Sequence, residues 1–225
     1  MCGRFAFYSP SEATAKLFGA EAIANFSPRY NVAPTQDVAA IRSVADSGSR
    51  ELVGLRWGLV PFWAKDPSIG NRMINARAET VDEKPSFRNA YRKRRCVILA
   101  DGFYEWRKET SGKTPYYISL ASGSPMGFAG LWEDWTDKST GESLQTGTIV
   151  TTAANAFMQP LHQRMPVTLV PETATLWLDD PGELLATFAK TAPELRAWPV
   201  SRQVNSPAND GPELIESSGA ALTGQ

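Results

Sequence analysis

The chain has 225 residues, of which 42% are apolar and 21% charged, with a formal net charge of −1. That length suits one large domain or two small ones around a sizeable core, and the composition is that of a soluble globular protein. Near-neutral charge excludes a binder held by overall positive charge, and no apolar run approaches the roughly 20 residues of a membrane helix. The start lacks a basic segment followed by an apolar stretch and a small-residue cleavage site, so no secretory signal is expected. The two cysteines, Cys2 and Cys96, form neither a disulfide framework nor a metal motif. They read as free thiols of a reducing cytosol, so the protein is expected in the cytoplasm with no metal and no cofactor.

In chain order, "SPSEATAKLFG" predicts a short helix. Ser9 caps it, Pro10 takes the first helical position, Glu12 completes a capping box and Gly19 ends it. "PRYNVAPTQ", rich in Pro, Asn and Thr, predicts an ordered loop. "VAAIRS", "LVGLRWGLV", "CVILADGFYEW", "TPYYISLA", "MGFAGLWE" and "TGTIVTTAA" predict strands, since they favour β-branched and aromatic residues between Gly, Pro, Asp and Ser. Residues 82–92 predict a helix, as does "DPGELLATFAKTA" with Asp180 as cap and Pro181 just inside. Many strands, few peripheral helices and no βαβ alternation predict an α+β fold. It is a single β-rich domain over residues 1–205, its antiparallel sheet curled into a partly closed barrel. Residues 206–225 are polar and lack cations, which predicts a flexible tail. Residues 88–95, "RNAYRKRR", carry five cations and no acid. They read either as a solvated helix end before a buried strand or as a phosphate-contacting patch.

Several residues can carry chemistry. His162 is the only histidine; its polar neighbours Gln163 and Arg164 suggest a turn, and an ordinary pKa near 6.5 lets it exchange protons at cellular pH. Glu105 lies among aromatics in "DGFYEWR", where alternation puts it on one face with Phe103 and Arg107, opposite Tyr104 and Trp106. Lost solvation would raise its pKa and suit it to acid–base work; the alternative is an exposed acid paired with Arg107. In "MINARAET", Asn75 and Arg77 share a strand face, able to hold a substrate through the amide and to grip a phosphate, or equally to cap a strand end and make a surface ion pair. Trp57, Phe62 and Trp63 offer base stacking or core packing. Cys2 is the most distinctive. Removal of Met1 would leave a free α-amine and a thiol on adjacent carbons. That pair can condense with an aldehyde to an imine and close it to a five-membered thiazolidine, which an internal cysteine cannot do.

Together these stretches resemble the SRAP (SOS-response-associated peptidase) family. The strings "MCGRF", "RYNVAP", "RWGLVPFW", "INARAET", "RCVILADGFYEW", "PYYI", "FAGLWE", "IVTTAA", "HQRMP", "WPVS" and "ELI" follow the family's order from residue 1 to about 215. The resemblance implies a protein that binds single-stranded DNA and crosslinks covalently to abasic sites. It implies a thiazolidine at Cys2, sugar positioning by Asn75, proton shuttling by Glu105 and proton transfer at the sugar by His162. Phosphate contacts would fall on Arg4, Arg77 and Arg164, with Phe62 and Trp63 stacking beside the lesion. Autoproteolytic loss of Met1 would expose Cys2, and the protein is expected as a monomer that joins the nucleoid when bound to DNA. Two other readings stand beside this one. Cys2 could be the nucleophile of an N-terminal-nucleophile hydrolase with Asn75 as oxyanion donor, or be incidental in a noncovalent single-strand-binding module.

Overall fold

Continuous apolar runs, rather than alternating ones, mark strands covered on both faces, and two such runs form the wall of this fold. The computed structural model describes residues 2–45, 47–110, 112–179 and 192–223, together with Leu185 and Phe188. Strand β1 (Phe5–Phe7) precedes helix α1 (Ser11–Leu17), then β2 (Glu21–Ala22), β3 (Arg29–Val32), β4 (Asp37–Ser43) and β5 (Arg50–Trp57). A long loop leads to β6 (Asn75–Arg77), helix α2 (Arg88–Lys93), β7 (Arg95–Ala100), β8 (Gly102–Glu109) and β9 (Gly112–Leu120). Then come β10 (Met126–Thr136), β11 (Ser143–Ala153), β12 (Arg164–Pro166), β13 (Thr168–Leu169), helix α3 (Pro171–Asp179), β14 (Leu195–Pro199) and β15 (Leu222–Thr223).

The strands β11, β10, β7, β4 and β5 pair in that order, and β5 returns to β11 through Thr146–Arg56 and Gly147–Trp57. The α+β expectation holds, and the curled sheet closes completely through this pair, which is parallel rather than antiparallel. Val38–Ile41 of β4 and Cys96–Ala100 of β7 are buried throughout, as strands between two covered faces require. A second, antiparallel sheet runs β15-β14-β9-β8-β1-β3. Between the two sheets Phe5, Trp57, Phe103 and Phe128 meet edge-to-face at 5.1–5.9 Å, each contact adding about 0.5–1.5 kcal/mol beyond area burial. That cluster locks the strand that begins three residues after Cys2.

The "CVILADGFYEW" run is two strands, because the chain turns at Asp101 from the barrel into the second sheet. Gly102 is needed there, since a Cβ would lie 2.4 Å from the Tyr117 ring and 2.5 Å from the Ile118 carbonyl. Ser9 does not cap α1. Its hydroxyl donates to Asp101 at 2.5 Å, Asp101 also accepts the Tyr8 and Ser9 N–H groups, and Pro10 occupies the cap position. Gly19 ends the helix as expected, at φ 70°. "PRYNVAPTQ" contains β3 rather than only loop, because β1 offers it an edge. The helix expected over 82–92 starts only at Arg88, after Pro85, which disfavours helical backbone in the residue before it. The helix expected from Asp180 falls largely on residues outside those described, and α3, just before it, was not foreseen. The segment after residue 205, expected to be a flexible tail, is tied to the body. Leu214 is fully buried, Asp210 accepts the Tyr30 and Asn31 N–H groups, and β15 pairs with β14. Together with residues 200–205 this segment covers the outer face of the second sheet, where Val200, Val204 and Leu214 pack on Tyr104 and Tyr117.

Candidate functional site

Register brings Cys2 to Glu105. Strands β1 and β8 are antiparallel with Phe5 opposite Phe103, and the Tyr104 N–H donates to the Arg4 carbonyl at 2.9 Å. Stepping back from Phe5 toward Cys2 therefore moves forward along β8 to Glu105. The expected alternation holds: Phe103 joins the main core, whereas Tyr104 and Trp106 join the cluster under the C-terminal segment. Glu105 is 3% exposed between the sheets, and Arg107 is ion-paired to Glu109 instead. Burial raises the Glu105 pKa, with His162 opposing.

Cys2 is fully buried, and burial pushes its thiol well above its ordinary pKa. Glu105 adds to that rise, while the Arg4 backbone N–H opposes it. Asn75 reaches the site because β6 lies parallel to β11, with Asn75 opposite Ile149. Its Nδ2 donates to the Cys2 carbonyl at 2.8 Å, and its Oδ1 is buried with no hydrogen-bond partner among the described residues. His162 sits on the turn between β11 and β12, its Nδ1 3.9 Å from the Glu105 carboxyl. The Arg164 N–H donates to Nδ1 at 3.0 Å, and the Arg164 carbonyl lies 3.0 Å from the same nitrogen. Nδ1 thus meets a donor when bare and an acceptor when protonated. Cys2, Asn75, Glu105 and His162 are brought together from four separated parts of the chain.

The expected DNA-contact residues divide. Arg77 is exposed and has no hydrogen bond or ion pair among the described residues. Arg164 shares its neighbourhood, both lying beside Thr151 of β11, but its fork is taken. Its Nη atoms donate to the Glu79 carboxylate at 2.6 and 3.0 Å and to the Thr151 carbonyl at 2.6 Å. Arg4 also turns inward, Nη1 donating to Asn31 and to the Val204 carbonyl at 2.7 Å each. Phe62 and Trp63 are 53% and 48% exposed on the loop from β5 to β6, while Trp57 is core. Gly58 and Gly70 close that loop's neck: Gly58 has φ 129°, and a Cβ on it would lie 2.5 Å from the Gly70 carbonyl. The basic run 88–95 forms α2 and leads into buried β7.

Two residues escaped the sequence reading. Asn31 is fully buried, accepts from Arg4, and donates to the Val204, Ser206 and Asn209 carbonyls. It ties the start of β1 to the C-terminal segment. Glu79 clamps Arg164. Both lie inside quoted strings, but nothing local separates a buried Asn from an exposed one. Among the described residues no three His, Cys, Asp or Glu are grouped to hold a metal, and no helix is long and apolar enough to cross a membrane.

A family profile described as SOS response associated peptidase (SRAP) matches residues 1–207. The abasic site processing protein YoqW of Bacillus subtilis is 44% identical, the match covering 96% of this chain and 100% of YoqW. The abasic site processing protein YedK of Escherichia coli is 33% identical over 96% of this chain and 99% of its own. HMCES of Xenopus tropicalis, also named an abasic site processing protein, is 32% identical over 88% of this chain and 70% of its own. A crystal structure of a Bacteroides thetaiotaomicron protein superposes with a TM-score of 0.83 at 28% identity, covering 96% of this chain and all of that one.

Proposed function

The chain belongs to the SOS response associated peptidase (SRAP) family, and from that premise we propose that it processes abasic sites in single-stranded DNA by covalent capture on Cys2. Hydrolysis of the Met1–Cys2 peptide bond frees the Cys2 amine. The amine attacks the aldehyde carbon of the ring-opened deoxyribose, and loss of one water gives an imine. The thiol then adds across C=N, sulfur to carbon and its proton to nitrogen, closing a thiazolidine. Amine and thiol act on one carbon because they sit on adjacent carbons, which converts the second addition into an intramolecular step.

The buried Glu105 carboxyl, beside Cys2 and 3.9 Å from His162, carries this reading. Its raised pKa brings proton exchange closer to neutral pH, so it can protonate the departing hydroxyl and then accept the thiol proton. Such help matters for Cys2, whose burial holds the thiol in its neutral form. Asn75 fixes the Cys2 carbonyl and turns a partnerless Oδ1 toward a sugar hydroxyl or the freed amine. His162 serves proton transfer at the sugar. Arg77 meets a phosphate, Arg164 and Arg4 frame the site, and exposed Phe62 and Trp63 stack on bases.

Intact mass before and after incubation with an abasic oligonucleotide tests this. Expected are loss of one methionine residue, then gain of the oligonucleotide less one water. A heat-stable adduct of undiminished yield from Cys2→Ala would sink the mechanism.

A further inference from the structure

The basic run 88–95 has no part in the chemistry above, yet its C-terminal end, Lys93 and Arg94, lines a cleft. The cleft lies where β7 begins, whereas the sheet carrying Cys2 and Glu105 is entered where β7 ends. Arg42, Glu51, Lys93, Arg94 and Trp132 line it. The Arg42 guanidinium stacks 4.4 Å from the Trp132 ring centre, with that of Arg94 at 5.8 Å. Each of these two arginines has its own carboxylate, Glu51 at 2.9 Å and Glu133 at 2.8 Å, so the wall is rigid and nearly neutral. The uncompensated charge is on α2. Arg88, Arg92 and Lys93 are exposed and have no ion pair among the described residues. Helix stability accounts for part of this, because Arg92 and Lys93 in the last turn complement the helix dipole. It does not account for Arg88 in the first turn, where the dipole favours an acid.

We infer that α2 and this cleft form a second nucleic-acid contact, gripping the phosphodiester backbone of an undamaged stretch of single-stranded DNA while Cys2 holds the lesion. Lys93 in the lining of the cleft, continued along α2 by exposed Arg92 and Arg88, meets a stacked arginine–tryptophan wall and suits a flexible polyanion, and the Arg42 and Arg94 charges of that wall are already paired. The inference rests on the DNA reading proposed above, and its test separates the two.

The full chain is crosslinked to a short abasic oligonucleotide, and the adduct is titrated with a labelled undamaged oligothymidine at several salt concentrations. Three phosphate contacts at about 0.7 each give a log–log salt slope near −2, or roughly 15–20-fold weaker binding from 50 to 200 mM salt. In R88Q/R92Q/K93Q that slope is expected to vanish, while yield on the short abasic oligonucleotide is unchanged, which also reports a folded site. Equal binding by both adducts, or none by the unsubstituted one, overturns the second contact. Failure to form any adduct instead overturns the capture reading. For that case a parallel arm compares Cys2→Ala with and without the α2 substitutions on undamaged strands, where an identical salt slope overturns the contact.

Discussion

The molecule has two regions that each hold one cysteine and one deeply buried glutamate, and their neighbours set them apart. On one side stand Cys2 and Glu105, 3% exposed and 3.9 Å from His162. On the barrel wall stand Cys96 of β7 and Glu133 of β10, 2% exposed and 2.8 Å from Arg94. Burial raises the pKa of both thiols and both carboxyls. Burial alone therefore does not distinguish a working group from a structural one. The partner differs: Glu105 lies beside an imidazole, which can give or take a proton, whereas Glu133 lies beside a guanidinium, which stays charged. In the proposed capture Glu105 trades protons with its surroundings, whereas Glu133 is held by Arg94.

Exchanging the thiols breaks the comparison most sharply. Cys2→Ala abolishes the heat-stable adduct, whereas Cys96→Ala keeps it and costs about 1–2 kcal/mol in urea unfolding, as a small core truncation does. Next come the carboxyls. Glu105→Gln slows adduct formation by about 10²-fold or more, the usual weight of a positioned acid–base group. Glu133→Gln leaves that rate intact and costs about 1–2 kcal/mol of stability, less than a sealed ion pair would, because the Arg94 side chain is 32% exposed and can turn to water.

Titration sharpens the same contrast. The folded Glu105 pKa lies above its unfolded value, so the native state binds more protons between the two, and this group's contribution to stability falls as pH rises through the folded pKa. Glu105→Gln is expected to flatten the stability profile above the ordinary glutamate pKa and to raise stability at neutral pH. A Glu105→Gln profile that keeps the parent slope would contradict this. The smallest effect is expected at the rim, where Glu79→Ala removes a half-exposed partner of Arg164 and costs about 0.5 kcal/mol after solvent screening. Its informative readout is the salt dependence of DNA binding, expected to steepen as the Arg164 fork is released.

Much of the site was legible before the fold. Alternation in "DGFYEWR" placed Glu105 on the Phe103 face, because successive side chains of a strand point to opposite faces whatever the strand pairs with. The case for Cys2 needed only its position beside an amine. Other expectations failed where a distant group outbid a local one. Ser9 was a good cap on local grounds, yet the Asp101 carboxylate, 92 residues away, takes it. Arg4 and Arg164, expected as phosphate contacts, also bind within the chain, to Asn31, Val204 and Glu79.

By itself the sequence determined the α+β class, most of the strand runs, the face Glu105 occupies and the aminothiol that Met1 removal would create. These follow from sterics and periodicity, which act over a few residues. Only the tertiary structure decided that the sheet closes through a parallel pair, that the segment after residue 205 is part of the body, and that Asn75 and His162 join buried Cys2 and Glu105 at one site. Those outcomes depend on which long-range partners satisfy each buried polar group, and that choice is made only when the whole chain is packed.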